Sequence, residues 1–357
     1  MPNHVCVFFA RLAVLSVVFA TAAGCGGGSG SSGPNVAGGP VAGEGADGGT
    51  ATATPGVWVE VSAGGFHTCG VKSDGSVACW GYDNDGQAEA PEGTFLSVSA
   101  GQSYACGLQS DGLIACWGED SFGQAEPPSG TFTSVSAGAF HTCGVQGDST
   151  VACWGYDAGG PTTPPAGTFL SVSAGVGYSC GVRSDGTVAC WGDNSGGQAT
   201  PPAGTFTSVS AGGGHTCGVR TDGTVACWGN NSAGQATPSA GTFIAVSAGG
   251  DHTCGVQSSG AIACWGDNTD GQSTPPADIF KSVSAGGFHT CGVRTDGTVA
   301  CWGNNTQGQI VPPADSSESD DAGTGSDDTS DNTSSTDDAG VGPEEADGGL
   351  RADPGSP

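Results

Sequence analysis

From Gly56 to Ala314 the chain alternates apolar and polar residues over runs of five or six, and no run keeps a helical period. The stretch Gly204 to Ala240 shows the pattern. Phe206–Ala211 alternates, with Thr207, Val209 and Ala211 on one face. His215–Arg220 and Thr224–Trp228 follow, both rich in Val, Thr and aromatic residues. Period-two alternation of β-branched and aromatic residues predicts three strands. Between the second and third lies Thr221-Asp222-Gly223, a type I turn followed by a glycine suited to the left-handed region.

That turn sets a hairpin register. Counting outward from Asp222 pairs Arg220 with Thr224, Val219 with Val225, Gly218 with Ala226 and Cys217 with Cys227. Cys217, Val219, Val225 and Cys227 then share one side; Gly218, Ala226 and Trp228 share the other. A large Trp beside Gly and Ala leaves a step for a neighbouring unit's Val and Cys. The hairpin is apolar on both faces, as a sheet packed between two other sheets must be.

The unit recurs seven times. Its first cysteines are Cys69, Cys106, Cys143, Cys180, Cys217, Cys254 and Cys291, always 37 residues apart. Its second are Cys79, Cys116, Cys153, Cys190, Cys227, Cys264 and Cys301, each followed by Trp. A fixed period of this length with strand-like content predicts a propeller or solenoid in one domain. Facing cysteines have three possible uses. A zinc site needs four converging ligands, and one hairpin brings two. Redox pairs are typically C-x-x-C at a helix terminus, which is absent. Opposed β-carbons lie about 4.5–5.5 Å apart and a disulfide wants about 3.5–4.5 Å. Seven structural disulfides across slightly pinched pairs are therefore expected.

Composition adds the setting. Sixteen Cys suggest an oxidising, exported environment. Leu12 to Ala23 is an apolar run behind Arg11, too short to span a membrane comfortably and suited to a signal peptide. Residues 1–24 read as a lipoprotein-type signal with Cys25 as the lipid-bearing residue, although Ala22 stands where Leu is usual; an ordinary cleaved signal and a secreted protein are the alternative. Residues 25–55, rich in Gly, Ser and Ala, form a linker. Residues 56–314 hold the repeats, and residues 315–357 form an acidic tail that cannot bury a core. The formal net charge is −28, which argues against binding nucleic acid or an anionic membrane surface.

The pattern SAGxxHTCGVxxDGTVACWGxNxxGQ, read from Ser210 to Gln235, resembles the repeats of the regulator of chromosome condensation family. The resemblance implies an all-β, seven-bladed β-propeller of seven 37-residue repeats. The short period and PPAGTF connectors are similar to a secreted bacterial branch that includes a β-lactamase-inhibiting propeller. The eukaryotic namesake is a nucleotide exchange factor for the Ran GTPase and binds chromatin. The shared residues are scaffold, so neither activity is carried over.

The loops after each Trp vary most between units, and variable loops on a repeated scaffold are where recognition sits. The candidate binding residues are Tyr82, Asp83, Asp85, Asp120, Phe122, Tyr156, Asp157, Asp193, Asp267 and Asp270. Asp83-Asn84-Asp85-Gly86 brushes against calcium-loop spacing but lacks the completing Glu; no metal and no cofactor are expected. His67, His141, His215, His252 and His289 share one position, with Tyr104 and Tyr178 in the other two units. A structural hydrogen bond to a neighbouring unit suits both residue types better than a metal ring does. Unit three departs, with Gly147-Asp148-Ser149 at the turn and Pro161 in place of Gln, and is expected to carry a locally different edge. No nucleophile–base pair recurs, so no catalytic residue is assigned. The expected function is a non-enzymatic propeller, monomeric and lipid-anchored in the cell envelope, recognising a protein or glycan through its loops. The alternatives are an inhibitor of a secreted enzyme such as a β-lactamase, and a propeller lyase or hydrolase with an axial site.

Overall fold

The structure is a computed structural model, and it describes residues 57–313. The proposed signal, Cys25, the linker and the acidic tail lie outside them. The described chain forms seven antiparallel three-stranded sheets, each made from one repeat. Blade 1 has an inner strand Trp58–Ala63, a middle strand His67–Lys72 and an outer strand Val77–Gly81. Blade 7 has Phe280–Ala285, His289–Arg294 and Val299–Gly303. The architecture is a seven-bladed β-propeller.

Blade 5 shows why this sequence makes a blade. The register is Cys217 opposite Cys227, Gly218 opposite Ala226 and Val219 opposite Val225. Gly223 turns the hairpin at φ +82°. The outer strand begins at Val225 rather than Thr224, because Thr224 gives its amide and its hydroxyl to Asp222 Oδ1 at 2.9 and 2.7 Å. The inner strand, Phe206–Ala211, departs from simple alternation. A bulge lies between Phe206 and Ser208, so Thr207 is exposed while Phe206 and Val209 are buried. A bulge inserts one unpaired residue and shifts the side-chain phase. The aromatic ring thereby takes the step left by the middle-strand glycine. A Cβ on Gly218 would lie 2.8 Å from the Phe206 ring.

The core is seven inter-blade layers rather than one centre. Cys217 and Val219 of blade 5 pack against Phe243, Val246 and Trp265 of blade 6. The same layer closes the ring, where Cys291 and Val293 of blade 7 pack on Trp58, Val61 and Trp80 of blade 1. Among the described residues no strand is exchanged between the ends of the array. Closure rests on the contacts that every blade pair makes, repeated once more. Inner-strand serines show it plainly. Ser62 Oγ accepts the Ala100 amide at 2.9 Å, and the pattern continues through Ser99, Ser136, Ser173, Ser210 and Ser247 to Ser284, which accepts the amide of Ala63.

Candidate functional site

The conserved interior residues of each repeat are occupied with structure. Seven disulfides join the facing cysteines, with Cα atoms 4.0–4.1 Å apart. The five histidines are buried, and four of them bridge blades through Nε2, His67 being the exception: His215 Nε2 lies 2.7 Å from Thr253 Oγ1 and His289 Nε2 2.7 Å from Thr68 Oγ1. Tyr104 reaches the equivalent Thr142 hydroxyl at 2.8 Å, so His and Tyr do the same work at this position. Burial lowers His141, His215 and His252 to pKa values of about 4, which keeps them neutral near pH 7. Each outer-strand Trp indole donates to a main-chain carbonyl of the preceding repeat, Gln198 for Trp228 and Gln309 for Trp80. Among the described residues no three His, Cys, Asp or Glu converge as metal ligands.

The variable positions gather at one end of the ring. The tips joining inner to middle strands and the loops after the outer strands lie together there. Tyr82 N–H donates to Phe66 O, Tyr156 to Phe140 O and Asp267 to Asp251 O. This is the loop face. The hairpin turns lie at the opposite end, the turn face, where the turn of one blade approaches the inner strand of the next: Phe95 N–H donates to Gly75 O.

The structure divides the candidate loop residues into two kinds. The second residue after the outer strand is Asp or Asn in every unit, and its side chain closes the loop. Asp83 Oδ1 accepts the Ala88 amide at 2.7 Å, Asp120 Oδ1 that of Ala125 at 2.7 Å and Asp157 Oδ1 that of Thr162 at 3.0 Å. Asp83, Asp120 and Asp157 are therefore loop staples as well as surface charges. The first and fourth residues carry the variation: Tyr82, Tyr156, Asp193 and Asp267 at the first, Asp85, Phe122 and Asp270 at the fourth. Asp193 and Asp267 are partly engaged, each accepting from the Gln amide of its own loop at 2.8 and 2.7 Å.

Sequence reasoning missed the tips. Phe66, Phe140, Asp251 and Phe288 share the last tip position, which is Ser or Gly elsewhere. Each stands immediately before its unit's buried His, and that variability was the available signal. The tips complete two aromatic groups. Phe66 stacks on Phe288 across the ring closure at 5.2 Å. Phe122 packs against Phe140 and Tyr156 at 5.8 and 5.0 Å. A mouth of about 350 Å³ opens among the tips, with Asp251 and Asp267 on its wall. Below it is a chamber of about 300 Å³ lined by inner-strand residues, of which only Glu60 is ionisable.

No Lys or Arg stands in any of these tips or loops. Lys72, Arg183, Arg220 and Arg294 end middle strands, and Lys281 lies near the start of an inner strand. All five belong to the turn face, where they pack structurally. Arg220 lies over the Phe206 ring at 4.8 Å and donates to Ala203 O, and Arg294 pairs with Asp278 at 2.9 Å.

A repeated scaffold with a fixed interior and one variable, acidic and aromatic face defines a repeat propeller. The Regulator of chromosome condensation (RCC1) repeat matches residues 58–87, 95–124, 169–198, 206–235, 243–272 and 280–309. The chain belongs to that repeat family, and blade 3 falls outside the matched residues. Among solved structures, it is similar to the ectodomain of the Physcomitrella patens receptor kinase CR4, with 28% identity over 70% of this chain and 74% of that one and a TM-score of 0.60. It is also similar to the CRINKLY WD40 ectodomain of the Arabidopsis thaliana receptor kinase ACR4, with 28% identity, 71% and 98% coverage and a TM-score of 0.61. Prp20p of Saccharomyces cerevisiae shares the fold at 15% identity, 64% and 80% coverage and a TM-score of 0.56. No curated protein sequence matches the chain.

Proposed function

We propose that this protein is a non-enzymatic binding propeller that recognises a protein or glycan through its loop face. The observation that carries the reading is the division of variability: interior positions repeat, and first-loop, fourth-loop and tip positions do not. The chamber lining holds a single ionisable group, Glu60, and so offers no acid–base pair within it. Protein binding also suits the relatives, since Prp20p is described by its binding to Gsp1p and histones.

The setting we propose is the oxidising side of a cell envelope, with Cys25 as lipid anchor and residues 25–55 as tether. Seven disulfides support export. The chain enters blade 1 at the turn face, where Ser73 N–H donates to Val57 O. A tether attached there leaves the loop face free. The protein is proposed to act as a monomer without nucleic acid, since its bases are few and those among the described residues sit in the turn-face packing.

The test compares two variants on glycan arrays and against envelope proteins. Tyr82→Ala with Phe122→Ala and Asp270→Ala removes loop-face chemistry; Glu92→Gln with Leu113→Ser changes the turn side. Ligands retained by the second variant and lost by the first support the proposal; the reverse pattern sinks it. Purified β-lactamases of several classes form a separate arm, and absence of nanomolar binding removes the inhibitor alternative. A mature N-terminus other than modified Cys25 removes the anchor.

A further inference from the structure

We infer that the aromatic group of Phe122, Phe140 and Tyr156 on the loop face is a docking surface for a lysine- or arginine-bearing segment of a protein partner. This rests on the loop-face reading and adds the chemistry of the partner. The three side chains are 48%, 37% and 41% exposed. They touch one another, with centroids 5.0, 5.8 and 6.4 Å apart. Single exposed apolar residues are ordinary on a soluble surface, whereas a contiguous cluster marks an interaction site.

The group is built where the repeat symmetry breaks. Phe122 belongs to the loop of blade 2, and Phe140 and Tyr156 to the tip and loop of blade 3. In blades 4 and 6 the first loop residue is Asp, held by the amide of the loop glutamine. In blade 3 that glutamine is Pro161. Tyr156 has no glutamine amide to face, and it packs across the blade boundary on Phe122. Gly159 occupies the fourth loop position of blade 3, where Phe122 stands in blade 2, and a Cβ there would meet nothing within 4 Å. The space over Gly159, three residues after Tyr156 in the same loop, is therefore open.

Charge selects the partner. Glu119 and Asp120 precede Phe122 in its loop, and Asp157 follows Tyr156. The Thr162 hydroxyl and amide hold the Asp157 carboxyl below the usual carboxylate range, so it stays ionised through the neutral range. No base stands on this face to neutralise these acids. Exposed aromatic surface beside carboxylates suits a cation carried on an apolar stem, which is the chemistry of Lys and Arg. An acidic segment or a nucleic acid would be repelled. A neutral glycan would use the rings and leave the charges unused.

The probe is a peptide of alternating Arg and Gly, beside its uncharged citrulline analogue and a neutral chito-oligosaccharide. The oxidised protein is titrated with each at physiological salt by fluorescence anisotropy. The arginine peptide is expected to bind, and the citrulline peptide to bind roughly tenfold more weakly. Phe122→Leu with Tyr156→Leu keeps apolar area and removes the π faces. It is expected to lose a similar factor for the arginine peptide, with the circular dichroism spectrum unchanged. Equal binding of the two peptides, no change in the leucine variant, or no binding of the arginine peptide overturns the inference. If the oligosaccharide binds and the leucine variant loses it, the loop-face reading survives and the cationic partner does not. If the arginine peptide responds only to turn-face changes, both fall.

Discussion

At the scale of residues, two positions break the sevenfold rule inside the ring. Ala105 stands where the other units have Thr or Ser, so His67 lacks the hydroxyl that the other bridging histidines meet. Neither of its ring nitrogens meets a side-chain partner. Thr68, Thr142, Thr216, Thr253 and Thr290 are buried at the equivalent site, so a threonine fits. Ala105→Thr is expected to raise stability by about 1 kcal/mol, read as a higher urea midpoint; an unchanged or lower midpoint would show that His67 does not need the bond. Glu60 stands where five units have Ser and one has Ala. Burial pushes its pKa up to about 8, against a smaller opposing effect of the Val98 amide, and Oε2 has no partner. The folded chain thus holds this proton between about pH 4.5 and 8 while the unfolded chain releases it, and stability falls as pH rises through that window. Glu60→Gln should then stabilise the protein at pH 8.5 and have little effect at pH 4.5. A pH-independent difference between the two proteins would contradict the assignment.

At the scale of elements, the hairpin was legible because its register depends on local turn chemistry. Asp-Gly at the turn and a separation of ten positions between the cysteines leave one pairing, and that pairing is observed. The inner strand was less legible. Its bulge follows from Phe206 entering the space above Gly218, a contact between strands that alternation along one strand does not encode. Unit three shows a local rule under strain. Ser149 takes φ +69° where the equivalent glycines lie between +82° and +87°. A non-glycine residue there costs roughly 1 kcal/mol. Ser149→Gly is expected to recover about that amount in the urea midpoint, and a loss of stability would mean that the hydroxyl contributes more than the backbone suffers. Of the loop residues, Asp83, Asp120 and Asp157 are recognition candidates by sequence. Their carboxylates prove to close loops, a role that depends on where an amide five residues onward folds back.

At the scale of the whole molecule, the ring needs no special clasp. The contact between blades 7 and 1 repeats the contact between any other pair, so near-identical repeats suffice to close it. Each disulfide joins two strands of one blade and none joins blades. The oxidised propeller should weigh about fourteen mass units less than its reduced form, two hydrogens for each of the seven bridges. Each bridge closes a short loop and contributes on the order of 2–3 kcal/mol. Reduction should therefore lower the urea midpoint strongly, and a native protein with fourteen alkylatable thiols would refute the pairing.

By itself the sequence determined the number of blades, the strands, the cysteine pairing and the overall excess of acid, because each follows from period, turn chemistry or composition. Tertiary structure decided which variable residues stand together. Phe122 and Phe140 are far from consecutive, yet the crossing of a blade-2 loop with a blade-3 tip brings their rings to 5.8 Å. It also sorted the charges by end. Antiparallel strands send the last residue of every middle strand to one face and the residues after every outer strand to the other. The five bases of the repeats, four ending middle strands and Lys281 near the start of an inner strand, thus gather at the turn face, and the opposite face is left acidic and aromatic.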